Sequence, residues 1–362
     1  MSSERDHLDF VQGLRGIAAF MIVVFHLKWY MSNAQWLGLG ERVLGNAHTG
    51  VDLFFVISGF IMVHASRRSD GSPSYVAEFL VRRFARLWPV YAVTTVLFLL
   101  AMGTLFDTSG GKLVRALAFL PEAPKGSPFF EYPPLHVGWT LVYEAYFYVL
   151  FAVALLAGRW RWALLGALAG VTLIALPQLA TGDVSLSAFH DYKLHPAILD
   201  IVASPMVWEF LAGVVIGVAY HSRLRLRPRP LRLTFVWLAI AVVVWQYGTG
   251  FHAGHGPVAS GAAIAVMVLA LAMFDKEERI RVPAWLIWLG DVSFSLYLVH
   301  RFPQLALPPL LKASHPQLVS GGGFVAFCII TGLLLAYLSH RYLERGLAEW
   351  VRRVLVGKLR RR

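Results

Sequence analysis

Residues 262–274 read Ala-Ala-Ile-Ala-Val-Met-Val-Leu-Ala-Leu-Ala-Met-Phe, without a charged, amide or hydroxyl side chain anywhere. No polar stripe recurs at helical spacing and no alternation recurs at strand spacing. An amphipathic helix on a soluble core and a half-buried strand are therefore both poor readings. A run that is apolar all round is helix in lipid, where every backbone N–H and C=O must be satisfied within the segment. Crossing the hydrocarbon core takes roughly 20 mostly apolar residues. Working outward on that criterion gives about ten spans: 10–30, 47–65, 88–106, 138–157, 160–179, 196–220, 232–249, 257–274, 285–300 and 321–340. The fold class expected is all-α and polytopic. Residues 1–30 are kept as the first helix rather than a signal peptide, because no small-residue cleavage site follows the run and Arg15 and His26 lie within it.

Composition agrees. Of 362 residues 57% are hydrophobic and 15% charged, against about 45–50% and about 25% in ordinary soluble domains. Disorder and a soluble globule are both excluded. The net charge of +12 would in a soluble chain suggest nucleic acid, so the placement of the basic residues decides its meaning. With the N-terminus inside, 24 of the 33 Lys and Arg fall on the inner side, from Arg5 through the Arg67–Arg86 and Arg223–Arg232 segments to Arg341–Arg362. Eight fall outside: Lys28, Arg42, Lys112, Arg115, Lys125, Lys193, Arg301 and Lys312. This bias predicts that both termini are cytoplasmic. Membrane lipid then takes the place of nucleic acid as the partner of most of the charge, with Arg223, Arg225, Arg227 and Arg229 read as an anchor at anionic lipid.

The domain expectation is a single membrane domain over 1–345 and a basic cytoplasmic tail over 346–362. The longest gap, 107–137, carries Pro121, Pro124, Pro128, Pro133 and Pro134 and reads as an ordered external loop. No internal repeat is present, so the inverted-repeat signature of many transporters is missing. Cys328, the single cysteine, reads as a small buried hydrophobe.

A titratable group inside a span costs on the order of 2.5–3.5 kcal/mol, so each marks a candidate site. The set is Arg15, His26, Asp52, His64, Glu144, Asp200, Glu209, Asp291 and His300. In depth, His26, Asp52, Glu144 and His300 converge near the outer leaflet, whereas Arg15 is in the inner part of the first helix. On the inner face Arg82, Arg83 and Arg86 precede the third span. At helical spacing they share a face and can clamp a phosphate, with a positive-inside lipid anchor as the competing reading. His252 and His255 form a weak metal pair with no carboxylate near them in the sequence, and no metal is expected. Asp200 and Glu209 read as interhelical partners or loop-end charges.

Several segments together resemble the acyltransferase 3 family of integral membrane enzymes, which O-acylate sugars and other hydroxyl acceptors. They are Leu8-Asp9-Phe10 through Arg15-Gly16 with His26, which fits the family's Arg-x10-His; Gly50-Val51-Asp52-Leu53-Phe54-Phe55 with Ser58-Gly59-Phe60; Arg83 and Arg86, the family's Arg-x-x-Arg; Gly138-Trp139-Thr140 with Glu144 and Tyr148; Ser293 to His300; and Tyr342-Leu343-Glu344. Their order holds from residue 8 to about 345. Ser58 to Met62 also looks like the exopolysaccharide-modifying, succinoglycan-type branch. Some relatives add an SGNH hydrolase-like domain, and none is expected here.

The resemblance implies an acyl group, taken as acetyl, carried from acyl-CoA to a glycan hydroxyl, in a multi-pass protein of the bacterial inner membrane. Arg82, Arg83 and Arg86 would hold the donor, and Arg15 would bind it or polarise the thioester carbonyl. His26 would move the proton, with a hydrogen-bonded core histidine as its alternative, Asp52 orient it or cap its own helix, and Glu144 pair with Arg15 or bind acceptor hydroxyls. A covalent acyl-histidine and direct attack within a ternary complex both fit. Trp139, Tyr148, Tyr297 and His300 would contact the acceptor, the alternatives being interfacial aromatics for the first two and interhelical hydrogen bonds for the last two. A lipid, peptidoglycan or small-molecule acceptor stays open. So does a proton-coupled transporter, for which intramembrane Arg, His and Glu are also suited.

Overall fold

The computed structural model describes residues 8–31, 38–123, 126–311 and 315–360. Arg5, Pro124, Lys125, Lys312, Arg361 and Arg362 lie outside them. Among the described residues there is no strand, and eight helices are long and apolar enough to cross a membrane. The protein is an all-α, polytopic membrane protein. Trp237, Leu238 and Trp245 on Arg229–Thr249 and Ile330 and Leu334 on Gly321–Ser339 are more than half exposed. Such surface would be an aggregation liability in water and is the ordinary lining of a helix facing lipid.

The helices differ from the hydropathy spans at instructive places. The third begins at Pro73 and runs to Ala101, so Arg82, Arg83 and Arg86 are inside it rather than ahead of it. Ser72 caps it, its Oγ accepting from the Tyr75 N–H at 3.2 Å, and Pro73 takes the first helical position, where no N–H is needed. The expected span at 196–220 is a short helix, Ile198–Ala203, followed by Val207–His221. That at 285–300 is broken at Val292 into Ala284–Asp291 and Ser293–Val299. The expected tail is helical as far as Leu359, through His340–Ala348 and Glu349–Leu359.

The described residues form two compact units. The first comprises residues up to His64 and Trp208–Ala336. Its centre is an apolar cluster of Phe10, Leu14, Val56, Phe60, Ile264 and Val268. Glycines set how closely its helices cross. A Cβ at Gly59 would lie 1.9 Å from the Phe210 carbonyl oxygen, and one at Gly213 would lie 2.0 Å from that of Val56. Likewise a Cβ at Gly290 would lie 2.0 Å from the Gln12 carbonyl oxygen. In lipid, where burial of apolar surface does not drive association, such close backbone approach is what holds helices together.

The second unit comprises Ala65–Val207 and the residues from Tyr337 onward. Tyr91, Tyr143, Phe147 and Phe151 fill its interior. Its loops are tied by hydrogen bonds: the Asp191 carboxylate accepts from the Ser127 N–H at 2.6 Å and the Gly126 N–H at 3.1 Å, and the Tyr143 hydroxyl donates to the Pro128 carbonyl at 2.9 Å. The helix Glu349–Leu359 packs along Pro73–Ala101.

Candidate active site

The first unit holds a histidine pair. His26 is in the last turn of Asp9–Leu27, and His300 follows Ser293–Val299. His300 is 1% exposed, and its Nδ1 faces two carbonyl oxygens, Leu296 at 3.1 Å and Tyr297 at 2.8 Å. Carbonyls only accept, so Nδ1 carries the proton and Nε2 of the neutral ring carries the lone pair. That lone pair faces His26 Nδ1 at 3.2 Å, and His26 Nδ1 also faces the Ile22 carbonyl at 2.9 Å. His26 Nδ1 is therefore the protonated nitrogen, donating to both acceptors. The basic lone pair of His26 is left on Nε2, the tautomer a general base needs. His300 thus makes the interhelical bond that was one of its two expected roles, and Tyr297 supplies a carbonyl to it while its ring packs edge-on against Phe54.

Arg15 is on the same helix, 11 positions before His26. Eleven residues are about three turns and about 16 Å of rise, which puts both side chains on one face but far apart along it. One long ligand can touch both. Arg15 Nη1 donates to Gln12 Oε1 at 2.8 Å, and Gln12 Nε2 donates to Asp291 Oδ1 at 2.7 Å.

Asp52 departs from its expected role. It is fully buried, its Oδ2 2.9 Å from His255 Nδ1 and its Oδ1 accepting from the Gly256 N–H at 2.9 Å. The residue it orients is His255, not His26, and the helix-cap reading fails too because Gly256 is 204 positions away. The His255 ring packs edge-on against that of His48 at 4.9 Å. Glu209, also buried, is the other carboxyl of this cluster, and neither of its oxygens has a hydrogen-bond partner among the described residues. The carboxylate that the sequence seemed to lack near His255 is thus Asp52. His252 is exposed, on a turn with φ +47°, and no group of three or more metal ligands occurs among the described residues.

The second unit holds the arginines. Arg82, Arg83 and Arg86 line a cavity of about 680 Å³. Arg83 lies over the rings of Phe79 and Tyr148, 5.4 and 5.7 Å from their centroids. The Tyr148 hydroxyl donates to Glu144, one turn earlier on Trp139–Leu155. Tyr148 and Glu144, expected on the acceptor side, therefore accompany the arginines. Trp139 is nine positions before Tyr148 and is buried edge-on against Phe129 at 4.9 Å, in a cluster whose exposed members are Tyr132 and Phe189. Arg68, Arg352 and Arg360 also line the arginine cavity, facing three carboxylates, Glu78, Glu344 and Glu349. The last two arginines are not legible as site residues in the sequence, because a basic C-terminus looks like an anchor. The spacing Glu344, Ala348, Arg352 at every fourth residue was the available sign of a packed face.

Comparison with known proteins adds a family. A family model described as an acyltransferase domain matches residues 8–341. The chain is 30% identical to the Exopolysaccharide production protein ExoZ of Rhizobium meliloti (strain 1021) over 315 residues, 85% of this chain and 92% of that one. It is 26% identical to Nodulation protein 10 of Rhizobium leguminosarum bv. viciae, covering 83% of each. It is 23% identical to the Putative peptidoglycan O-acetyltransferase YrhL of Bacillus subtilis (strain 168), of whose length it spans 59%. No solved structure matches.

Proposed function

The chain belongs to the acyltransferase 3 family, and from that premise we propose that it transfers an acetyl group from acetyl-CoA to a hydroxyl of an exopolysaccharide or its lipid-linked precursor, in the bacterial cytoplasmic membrane. The observation that carries the reading is the His26–His300 pair. Two carbonyls fix the His300 tautomer, and His300 in turn fixes that of His26. His26 Nε2 takes the proton of the acceptor hydroxyl as its oxygen attacks the thioester carbon. When the C–S bond breaks, the protonated His26 returns that proton to the departing sulfur, so charge and protons balance. His300 Nε2 meanwhile accepts from the His26 imidazolium, stabilising the charge that forms only during transfer.

The donor assignment rests on the cavity. Six arginines against three carboxylates in about 680 Å³ suit a polyanion of nucleotide size. Arg83, held by the Phe79 and Tyr148 rings, gives the site a preorganised cation, and Arg86 stands exposed toward the cavity. Arg15 is assigned to the donor and His26 to the acceptor hydroxyl, with Trp139 and its aromatic neighbours suited to a sugar face. The exopolysaccharide acceptor follows the printed role of the ExoZ relative over most of both chains.

The test uses the full chain in lipid nanodiscs with radiolabelled acetyl-CoA and purified de-acetylated polymer. Label is expected in the polymer with the intact protein and none with His26→Ala, which should still insert. Full activity of His26→Ala would overturn the base assignment. Label appearing in peptidoglycan fragments and not in exopolysaccharide would overturn the acceptor.

A further inference from the structure

The arginine cavity contains a feature that its proposed role in donor binding does not require. Glu78 is gripped from two sides. Arg82, one turn on in the same helix, donates to its Oε1 from Nε at 2.9 Å and again from Nη2. Arg360, 282 positions away at the end of the Glu349–Leu359 helix, donates from Nε to Oε2 at 3.2 Å and from Nη2 to Oε1 at 3.0 Å. Two guanidinium forks therefore converge on one carboxylate at the rim of the cavity, where the side chains of Arg82 and Arg360 are 42% and 66% exposed. So exposed a set of ion pairs adds little stability, because water screens it. What it records is geometry: two forks already spaced to share the oxygens of one small oxyanion.

Elsewhere on the cavity wall the arrangement differs. Arg83 lies against aromatic faces, and Arg86 has no carboxylate within ion-pair distance among the described residues. The cavity thus offers two anion positions, one at Arg83 and Arg86 and one at Arg82 and Arg360 that Glu78 fills from within. Arg352, on the same C-terminal helix as Arg360, lines the wall, with its Nε buried and without a hydrogen-bond partner.

We propose that the C-terminal helix is part of the donor site: Arg360, with Arg82, binds the outlying phosphomonoester of a coenzyme A-type nucleotide, the 3′-phosphate, which displaces Glu78. A phosphomonoester suits the rim position because it is a terminal group with three free oxygens, which two forks can bind bidentately. The oxygens of the pyrophosphate, an internal group with fewer free oxygens on each phosphorus, suit Arg83 and Arg86. Glu78 keeps the forks in register when no donor is bound and competes with the incoming anion. The C-terminal helix then selects nucleotides that carry the extra phosphate over those that lack it. This rests on the reading of the donor as acyl-CoA.

Binding of CoA and of dephospho-CoA, which lacks only the 3′-phosphate, is measured on the full chain in nanodiscs. Intact protein should prefer CoA by about tenfold to a hundredfold, the range for one charge-assisted contact. Arg360→Gln should lose that preference while dephospho-CoA binds as before, which also shows that the variant is folded. Glu78→Gln, which removes the competing carboxylate, should bind CoA more tightly. An unchanged preference in Arg360→Gln overturns the proposal, as does equal loss of both ligands, which would make Arg360 a structural contact. Intact protein that binds neither nucleotide overturns the donor reading itself.

Discussion

Replacing His300 by Phe keeps a somewhat larger aromatic ring at the buried position, leaves the Leu296 and Tyr297 carbonyls to their own helix, and removes the acceptor that faces His26 Nδ1 at 3.2 Å. In the resting site that contact joins two neutral rings and contributes about 0.5–1.5 kcal/mol. During transfer His26 is an imidazolium, and the same contact becomes charge-assisted, worth about 1.5–3 kcal/mol. Only the difference, about 1–1.5 kcal/mol, acts on the chemical step, and at about 1.36 kcal/mol per factor of ten it lowers kcat roughly tenfold. His26 retains the Ile22 carbonyl at 2.9 Å, so its Nδ1–H is still directed and the loss is partial. KM for donor and acceptor should hardly move, because the interaction is stronger only when charge has formed. His300→Gln, whose side-chain oxygen can reach the place of Nε2, should recover most of the loss. The assay is release of the CoA thiol under saturating substrates, checked against label in the polymer. Full kcat in His300→Phe would refute the tautomer argument. So would a change confined to KM, which would return His300 to acceptor binding, or equal damage by Phe and Gln.

Three further outcomes follow from particular contacts. His255→Ala leaves the Asp52 carboxylate fully buried without its 2.9 Å partner, a loss of about 3–5 kcal/mol for a broken buried pair; thermal unfolding in detergent should shift down several degrees, and inactivity at unchanged stability would instead make this pair catalytic. Gly59→Ala forces a Cβ to within 1.9 Å of a backbone oxygen and should cost at least the about 1–3 kcal/mol of ordinary overpacking, whereas Gly166→Ala, with nothing within 4 Å, should melt like the parent; equal melting of the two variants would refute the close crossing. The placement of basic residues predicts a cytoplasmic C-terminus, so a C-terminal fluorescent-protein fusion should be bright and an alkaline phosphatase fusion inactive, the reverse pattern sinking the orientation.

Hydropathy made the fold class legible because lipid imposes one demand, an apolar run about 20 residues long, that needs no knowledge of partners. It misjudged boundaries where helices leave that regime. The helix containing Arg82, Arg83 and Arg86 begins at Pro73, and its first turns are too polar to register as a span. Its start was nonetheless written in the sequence as Ser72-Pro73, a cap followed by a residue with no N–H to lose. The break at Val292 had a weaker sign, the run Gly290-Asp291-Val292-Ser293 of poor helix formers, in a stretch whose apolar flanks read through it as one span.

The site was legible residue by residue and not pair by pair, for a physical reason. A titratable group in a membrane helix is costly wherever it is, so its presence shows in the chain. What satisfies it is a tertiary matter: His26 finds His300 at a separation of 274 positions, and Asp52 finds His255 at 203. The expectation that Asp52 orients His26 paired two groups of similar depth, and depth is a single coordinate. Rotation about the helix axis is the second coordinate, and for Arg15 and His26 it could be read, since 11 residues return almost to the same face. For Asp52 no such internal reference existed, because its partner is on a Gly-rich turn whose course no periodicity fixes. The same logic hides Arg360 in the sequence. Its partner Glu78 is 282 positions away, and a lone arginine near a basic end looks like lipid anchoring until the helix that carries it is seen to pack.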